Sequence, residues 1–182
     1  MKTKNRSIRA MTEGAILIAM AEILSLVPLF RLTWGGSIDL AMLPIILFCV
    51  RWGFGAGMTM AFAHGILQML MEGGIAIGWE SILGDYLIAY GVLGVAGLFR
   101  GKIYLATVVA CGARFLVHYV VGATVWAQYM PGEFFGMTMT TPWFYSLLYN
   151  AAYMLPNLLM TLLVAALLYA PLKKYILGQD LI

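Results

Sequence analysis

Residues 114–129 read RFLVHYVVGATVWAQY. Within this apolar run Arg114, His118, Gly122 and Trp126 follow one another at steps of four. On an α-helix each step of four turns about 40° past a full turn, so the four positions form one slowly drifting stripe. A cation, an imidazole, a gap and an indole then face one side, and Phe115, Leu116, Val117, Val120, Val121 and Val125 are left to face lipid or other helices. Charged and aromatic groups on one line of an otherwise apolar helix belong to a membrane bundle with something polar inside it.

Composition agrees with that reading. Of 182 residues, 63% are hydrophobic and only 10% charged, with a mean hydropathy of +0.91. A soluble domain is about 25% charged. At roughly 20 residues per span, the chain accommodates about five to seven helices. A membrane β-barrel would show alternating segments of about ten residues, whereas these runs are continuous and rich in Leu, Ile, Met and Ala. The expected fold is an all-α integral membrane bundle of six transmembrane helices. It forms a single domain over residues 1–182, with spans near 11–30, 38–50, 54–71, 82–99, 104–128 and 142–169.

Details along the chain support these segments. The basic stretch Lys2 to Arg9 leads into a full-length span without a small-residue cleavage site, so the first segment is expected to stay in the membrane. The second is short and contains Pro44. The third carries Gly55, Ala56, Gly57, Ala61, Ala63 and Gly65, small residues that let membrane helices approach closely. Thr141 followed by Pro142 forms a helix start, and Pro156 is expected to kink the last span. Cys49 and Cys111 lie in apolar runs and read as buried small hydrophobes. Every basic residue except Arg31 and Arg114 falls at the termini or in loops on one side, which predicts that both termini are cytoplasmic. The opposite loops hold Trp34, Glu72, Trp79, Glu80, Glu133 and Trp143, an aromatic and acidic rim.

An ionisable group inside a span is costly unless it is paired or faces a cavity, so such groups mark candidate sites. Asp85, followed by Tyr86, stands near the outer end of the fourth span. With Trp34, Arg114, His118, Trp126, Tyr145 and Asn150 it defines a candidate outward-facing pocket. Aromatic faces attract a cation and stack on flat rings, and a carboxylate supplies the counter-charge. The matching ligand is small, flat, cationic and hydrogen-bonding. Each residue also has a plainer reading. Trp34 and Trp126 fit an interfacial belt, Asp85 fits a structural bridge to Arg114, and His118 fits a hydrogen-bonded core histidine. Tyr145 and Asn150 are five apart, so they share a site only if it is concave or the helix start is distorted.

Among the remaining polar residues, His64 precedes Gln68 by one turn and reads as an interhelical hydrogen-bonding group. Glu13 reads as a solvated boundary carboxylate. Glu22 lies deeper, about half a turn out of phase with Glu13, and has no evident partner. Ala15 and Ala19 form a smooth ridge suited to close helix contact. No HExxH, GxSxG or phosphate-binding loop is present.

Five stretches, MTEGAILIAMAEILSLVP, IDLAMLPIILFCVRWGFGAG, DYLIAYGVLGVAGLFR, HYVVGATVWAQY and YSLLYNAAYMLPN, occur in this order. In them the chain resembles the thiamine-specific S component (ThiT) family of energy-coupling factor (ECF) vitamin transporters. The resemblance implies a six-helix fold that binds thiamine near the outer face and has no catalytic activity or cofactor of its own. It implies Trp34, Asp85, Tyr86, His118, Gly122, Trp126, Tyr145 and Asn150 as ligand-binding positions, with Gly122 leaving room for the ligand. Ala15 and Ala19 match a contact to the coupling transmembrane subunit, which works with two ATPase subunits. The lipid bilayer is the remaining partner, and nucleic acid is not one. The chain departs from the pattern with Asp85 in place of a usual Glu and Arg114 in place of a usual Lys. Ile75 stands where an aromatic is usual, leaving Trp79 as the nearby aromatic. Two alternatives stay open: an S component for another vitamin or a thiamine precursor, and an intramembrane enzyme using Asp85, His118 and Arg114.

Overall fold

The computed structural model describes residues 2–32, 36–71 and 76–181. Its long helices are α1 (Lys2–Leu26), α2 (Met42–Trp52), α3 (Phe54–Met71), α4 (Trp79–Phe99), α5 (Ile103–Thr124) and α6 (Pro142–Ile176). Among the described residues four helices, α3 to α6, are long and apolar enough to cross a membrane. The described residues also include two short antiparallel hairpins. Phe30–Arg31 pairs with Ser37–Ile38 between α1 and α2, and Glu133–Phe134 pairs with Met137–Thr138 between α5 and α6.

The expected second span differs most from what is observed. Residues 38–40 fall in the hairpin and the turn after it, and the helix that follows has 11 residues, buried continuously from Met42 to Arg51. A helix apolar on all sides and of that length is a core helix with no lipid-facing side. It packs against α1, α3 and α4, with Met42, Ile45, Ile46, Cys49 and Val50 all at 1% exposure or less. Cys49 and Cys111 are both buried.

Small residues set how closely the helices approach. On α3 the buried residues Gly57, Ala61, His64, Gly65 and Gln68 form one face, and Gly55 points to open space. A Cβ on Gly65 would stand 2.6 Å from the Tyr86 carbonyl oxygen. This close pairing places Tyr86, and Asp85 beside it, within a stretch of α4 wound as a π-helix from Ile82 to Ile88. π-helical stretches are rare and occur frequently at functional sites. α6 begins as expected, with the Thr141 hydroxyl accepting from Phe144 N at 3.1 Å and Pro142 in the first turn. It remains helical through Pro156 and Pro171.

The two ends of the chain meet in a cluster centred on Arg51. Its side chain is fully buried and donates to Glu13 Oε2 at 2.6 Å, to Asp180 Oδ1 at 2.7 Å and to the Tyr175 carbonyl at 2.7 Å. Its guanidinium also lies 3.9 Å from the Tyr175 ring centroid. Arg9 closes the cluster on Glu13 and Asp180. Glu13 is therefore a paired carboxylate, accepting also from Trp52 Nε1 and the Tyr175 hydroxyl, where a solvated one was expected. The reason lies outside its own segment, in a buried cation delivered by α2.

Candidate functional site: a pocket between α4, α5 and α6

The stripe on α5 faces a pocket. His118, Gly122 and Trp126 line it, with Arg114 beside them, and the α5 turn ends at Thr124 so that Trp126 sits just past the helix. Asp85 and Tyr86 enter from α4, and Tyr145 and Asn150 from α6. The structure thus brings seven of the eight expected positions to one cavity. Trp34 and Ile75 lie outside the described residues. Trp79 does not line the pocket and is 68% exposed.

Asp85 is the organising group. It accepts from Trp126 Nε1 at 2.8 Å, from Ser81 Oγ at 3.1 Å and from His118 Nδ1 at 3.0 Å. Arg114 Nε donates to His118 Nε2 at 3.3 Å, so the imidazole carries its proton on Nδ1, toward Asp85. The bridge from Asp85 to Arg114 considered from sequence is therefore replaced by a relay through His118. Arg114 instead stacks over the Tyr90 ring, 4.0 Å from its centroid.

On the opposite wall Tyr145, Tyr149 and Tyr153 succeed one another along α6, with ring centroids 5.6 and 6.0 Å apart. Asn157 continues the series and accepts from Asp39 N at 2.8 Å. The four-step spacing of this row is plain in the sequence, and Asn150 lies one position off it. Asn150 has a bracing role. Its amide donates to Ser146 O at 2.9 Å and to the His118 carbonyl at 3.3 Å, and its oxygen accepts from Tyr153 at 2.7 Å. Asp39, Ser37 and Gly36 close the pocket from the first hairpin, and Phe134 of the second packs edge-on to Tyr145 at 5.4 Å. A second carboxylate at Asp39, ahead of α2, carries no sequence signal beyond its type.

Gly122 faces the α6 wall at close range, where an added Cβ would stand 2.4 Å from Ser146 Oγ and 3.4 Å from Asn150 Nδ2. Gly122→Ala is expected to displace Ser146 from its bond to the Tyr119 carbonyl. The expected cost is about 1–3 kcal/mol of overpacking, read as a lowered unfolding midpoint of the purified protein. An unchanged midpoint would show that α5 and α6 are less closely joined.

The pocket combines a partly buried carboxylate, an indole, an imidazole and a row of tyrosines. It suits a flat cation. Comparison with known proteins agrees. A relative named thiamine transporter ThiT from Bacillus subtilis (strain 168) is 30% identical over 184 residues, covering 91% of this chain and 93% of the relative. A protein of the same name from Lacticaseibacillus paracasei is 23% identical, covering 97% and 94%. The solved structure of ThiT from Listeria monocytogenes superposes with a TM-score of 0.80 at 22% identity, over 93% of this chain and 98% of that one, and so shares the fold. The model of the thiamine transporter protein family (Thia_YuaJ) matches residues 11–177, nearly the whole bundle, and the chain belongs to that family.

Proposed function

We propose that the chain is the thiamine-binding membrane subunit of an ATP-driven vitamin uptake transporter of the energy-coupling factor type. The observation that carries this reading is the Asp85 carboxylate, set against Trp126 and His118 in an aromatic pocket, in a chain of the thiamine transporter family. Thiamine joins a permanent thiazolium cation to a flat aminopyrimidine. A carboxylate balances the cation, aromatic faces attract it, and both rings stack on Tyr or Trp. The ligand-contacting set is Trp34, Asp85, Tyr86, His118, Gly122, Trp126, Tyr145 and Asn150, extended by Tyr149 and Arg114. The enzyme alternative built on Asp85, His118 and Arg114 falls away because the family is one of transporters.

Binding and reorientation then replace chemistry. The chain contains no phosphate-binding loop, so energy comes from two ATPase subunits acting through a coupling transmembrane subunit. Six membrane-associated helices with both termini cytoplasmic fit this arrangement. The Arg9 contact to Asp180, which joins the chain ends at the more basic side, supports it. Ala15 and Ala19 are exposed on α1, among Met11, Ile16 and Met20, as a ridge for the coupling subunit requires. Ala19→Trp is expected to leave thiamine binding by the isolated subunit within about twofold while abolishing uptake by the complex. Normal uptake by Ala15→Trp and Ala19→Trp alike would remove this face from the interface.

Ligand identity is tested by competition. Labelled thiamine bound to the purified protein should be displaced by thiamine at the lowest concentration among thiamine, its phosphate esters, its aminopyrimidine precursor and other B vitamins. Stronger displacement by any of the others would transfer the pocket to that ligand.

A further inference from the structure

Glu22 sits on α1, 42 positions before its first partner in sequence, and does not line the pocket. It is nonetheless fully engaged. Its Oε1 faces His64 Nδ1 at 2.7 Å, and its Oε2 accepts from Gln68 Nε2 at 2.7 Å. His64 is fully buried, and among the described residues its Nε2 has no hydrogen-bond partner, lying against the Tyr90 ring in an edge-on contact of 4.9 Å. The single proton of a neutral imidazole therefore belongs on Nδ1, directed at Glu22. Gln68 is likewise fully buried and fully used. Its amide also donates to Ser25 Oγ at 2.8 Å, and its oxygen accepts from the Tyr90 hydroxyl at 3.1 Å.

Tyr90 itself lines the pocket, and from it the contacts continue along the wall. The Arg114 guanidinium lies over the Tyr90 ring at 4.0 Å, Arg114 holds His118 at 3.3 Å, and His118 meets Asp85 at 3.0 Å. A buried polar chain thus crosses the bundle from α1 through α3, α4 and α5. Polar groups in such a setting are costly to leave unmatched, so each fixes the next. Glu22 also stands on the shoulder of α1, about 20° around the helix from Ala15. Leu17, Ala21 and Ser25 mark the buried side.

We infer that Glu22 is a positioning residue for the pocket: through Gln68 and the Tyr90 ring it seats Arg114 and His118, so that the placement of α1 and occupancy of the site are energetically linked. This rests on the pocket being the thiamine site. A link of this kind is reciprocal, since whatever α1 does to ligand affinity the ligand does to α1. The helix that carries the exposed Ala15 and Ala19 ridge, with Glu22 beside it, thereby senses the binding site.

The test is a double-mutant cycle on the full chain in one detergent, read as thiamine Kd by equilibrium dialysis. Wild-type binding is recorded first, and its absence would count against the reading of the pocket rather than the chain. Glu22→Gln is expected to weaken binding by about tenfold, although Glu22 touches no part of the pocket lining. In a Tyr90→Phe background, which keeps the ring and removes the hydroxyl, the same change should cost less than about threefold, because the link is already cut. A purely structural Glu22 would lower the folded fraction and leave the Kd of folded protein alone. The proposal is overturned if Glu22→Gln binds within twofold of wild type, or if its full loss persists in the Tyr90→Phe background. Should Glu22→Gln fail to fold, Gln68→Met interrupts the same chain one step on, with the same expected and contrary results.

Discussion

Asp85→Ala is expected to weaken thiamine binding by about a hundredfold while the protein stays folded. Asp85 gathers three donors, Trp126 Nε1, His118 Nδ1 and Ser81 Oγ, and is the carboxylate placed to face a cation at the indole end of the pocket. Its loss removes the counter-charge and frees the Trp126 ring to turn. A hydrogen bond or pairing to a charged group contributes about 1.5–3 kcal/mol, and a hundredfold change in Kd corresponds to about 2.7 kcal/mol. Equilibrium dialysis with labelled thiamine checks the number. Asp85→Asn should fall between wild type and Asp85→Ala, since it keeps acceptor geometry without charge. Equal affinity for all three proteins would mean that the carboxylate does not face the ligand.

Arg51→Ala should produce the largest loss of stability in the chain. The side chain is fully buried and joins α1 through Glu13, α6 through the Tyr175 carbonyl and the chain end through Asp180. Truncating it removes the buried cation and leaves Glu13 and Asp180 with only the exposed Arg9, and breaking such a cluster costs about 3–5 kcal/mol. Denaturant unfolding in detergent measures it, and a loss below about 1 kcal/mol would show the cluster to be solvated. Asp180 lies beyond the end of α6, and its hydrogen bonds from Arg51 and Arg9 hold its carboxyl well below the usual aspartate range. A carboxylate depressed in the folded state stabilises above its unfolded pKa and loses that contribution as pH falls. The C-terminal anchor should therefore weaken on acidification below about pH 4, modestly, because Asp180 is 39% exposed and screened by water.

The helices were legible where one segment carries its own evidence. Thr141 with Pro142 opens α6 as read, although the helix runs on to Ile176, past the expected end at 169, and the apolar runs give α3 and α5 to within a few residues. The α5 stripe faces the pocket because step-four periodicity is a property of one helix alone. What stayed hidden depends on pairs of distant segments. Glu22 looked partnerless because His64 and Gln68 reach it from α3, and Glu13 looked solvated because Arg51 comes from α2. The π-helical stretch that carries Asp85 packs on α3 and was not legible in its own sequence. α2 read as a span because apolarity is equally high for a helix facing lipid and one enclosed by protein.

The most direct test of the central claim is a titration of the purified, folded protein with thiamine, followed by tryptophan fluorescence. Trp126 lines the pocket and donates to Asp85, so a bound thiazolium should alter its emission. Saturable quenching is expected at one thiamine per chain, with a submicromolar Kd corresponding to more than about 8 kcal/mol, and a markedly smaller signal in Trp126→Phe. An emission spectrum unmoved by thiamine, with dialysis also showing no bound ligand, would contradict that claim.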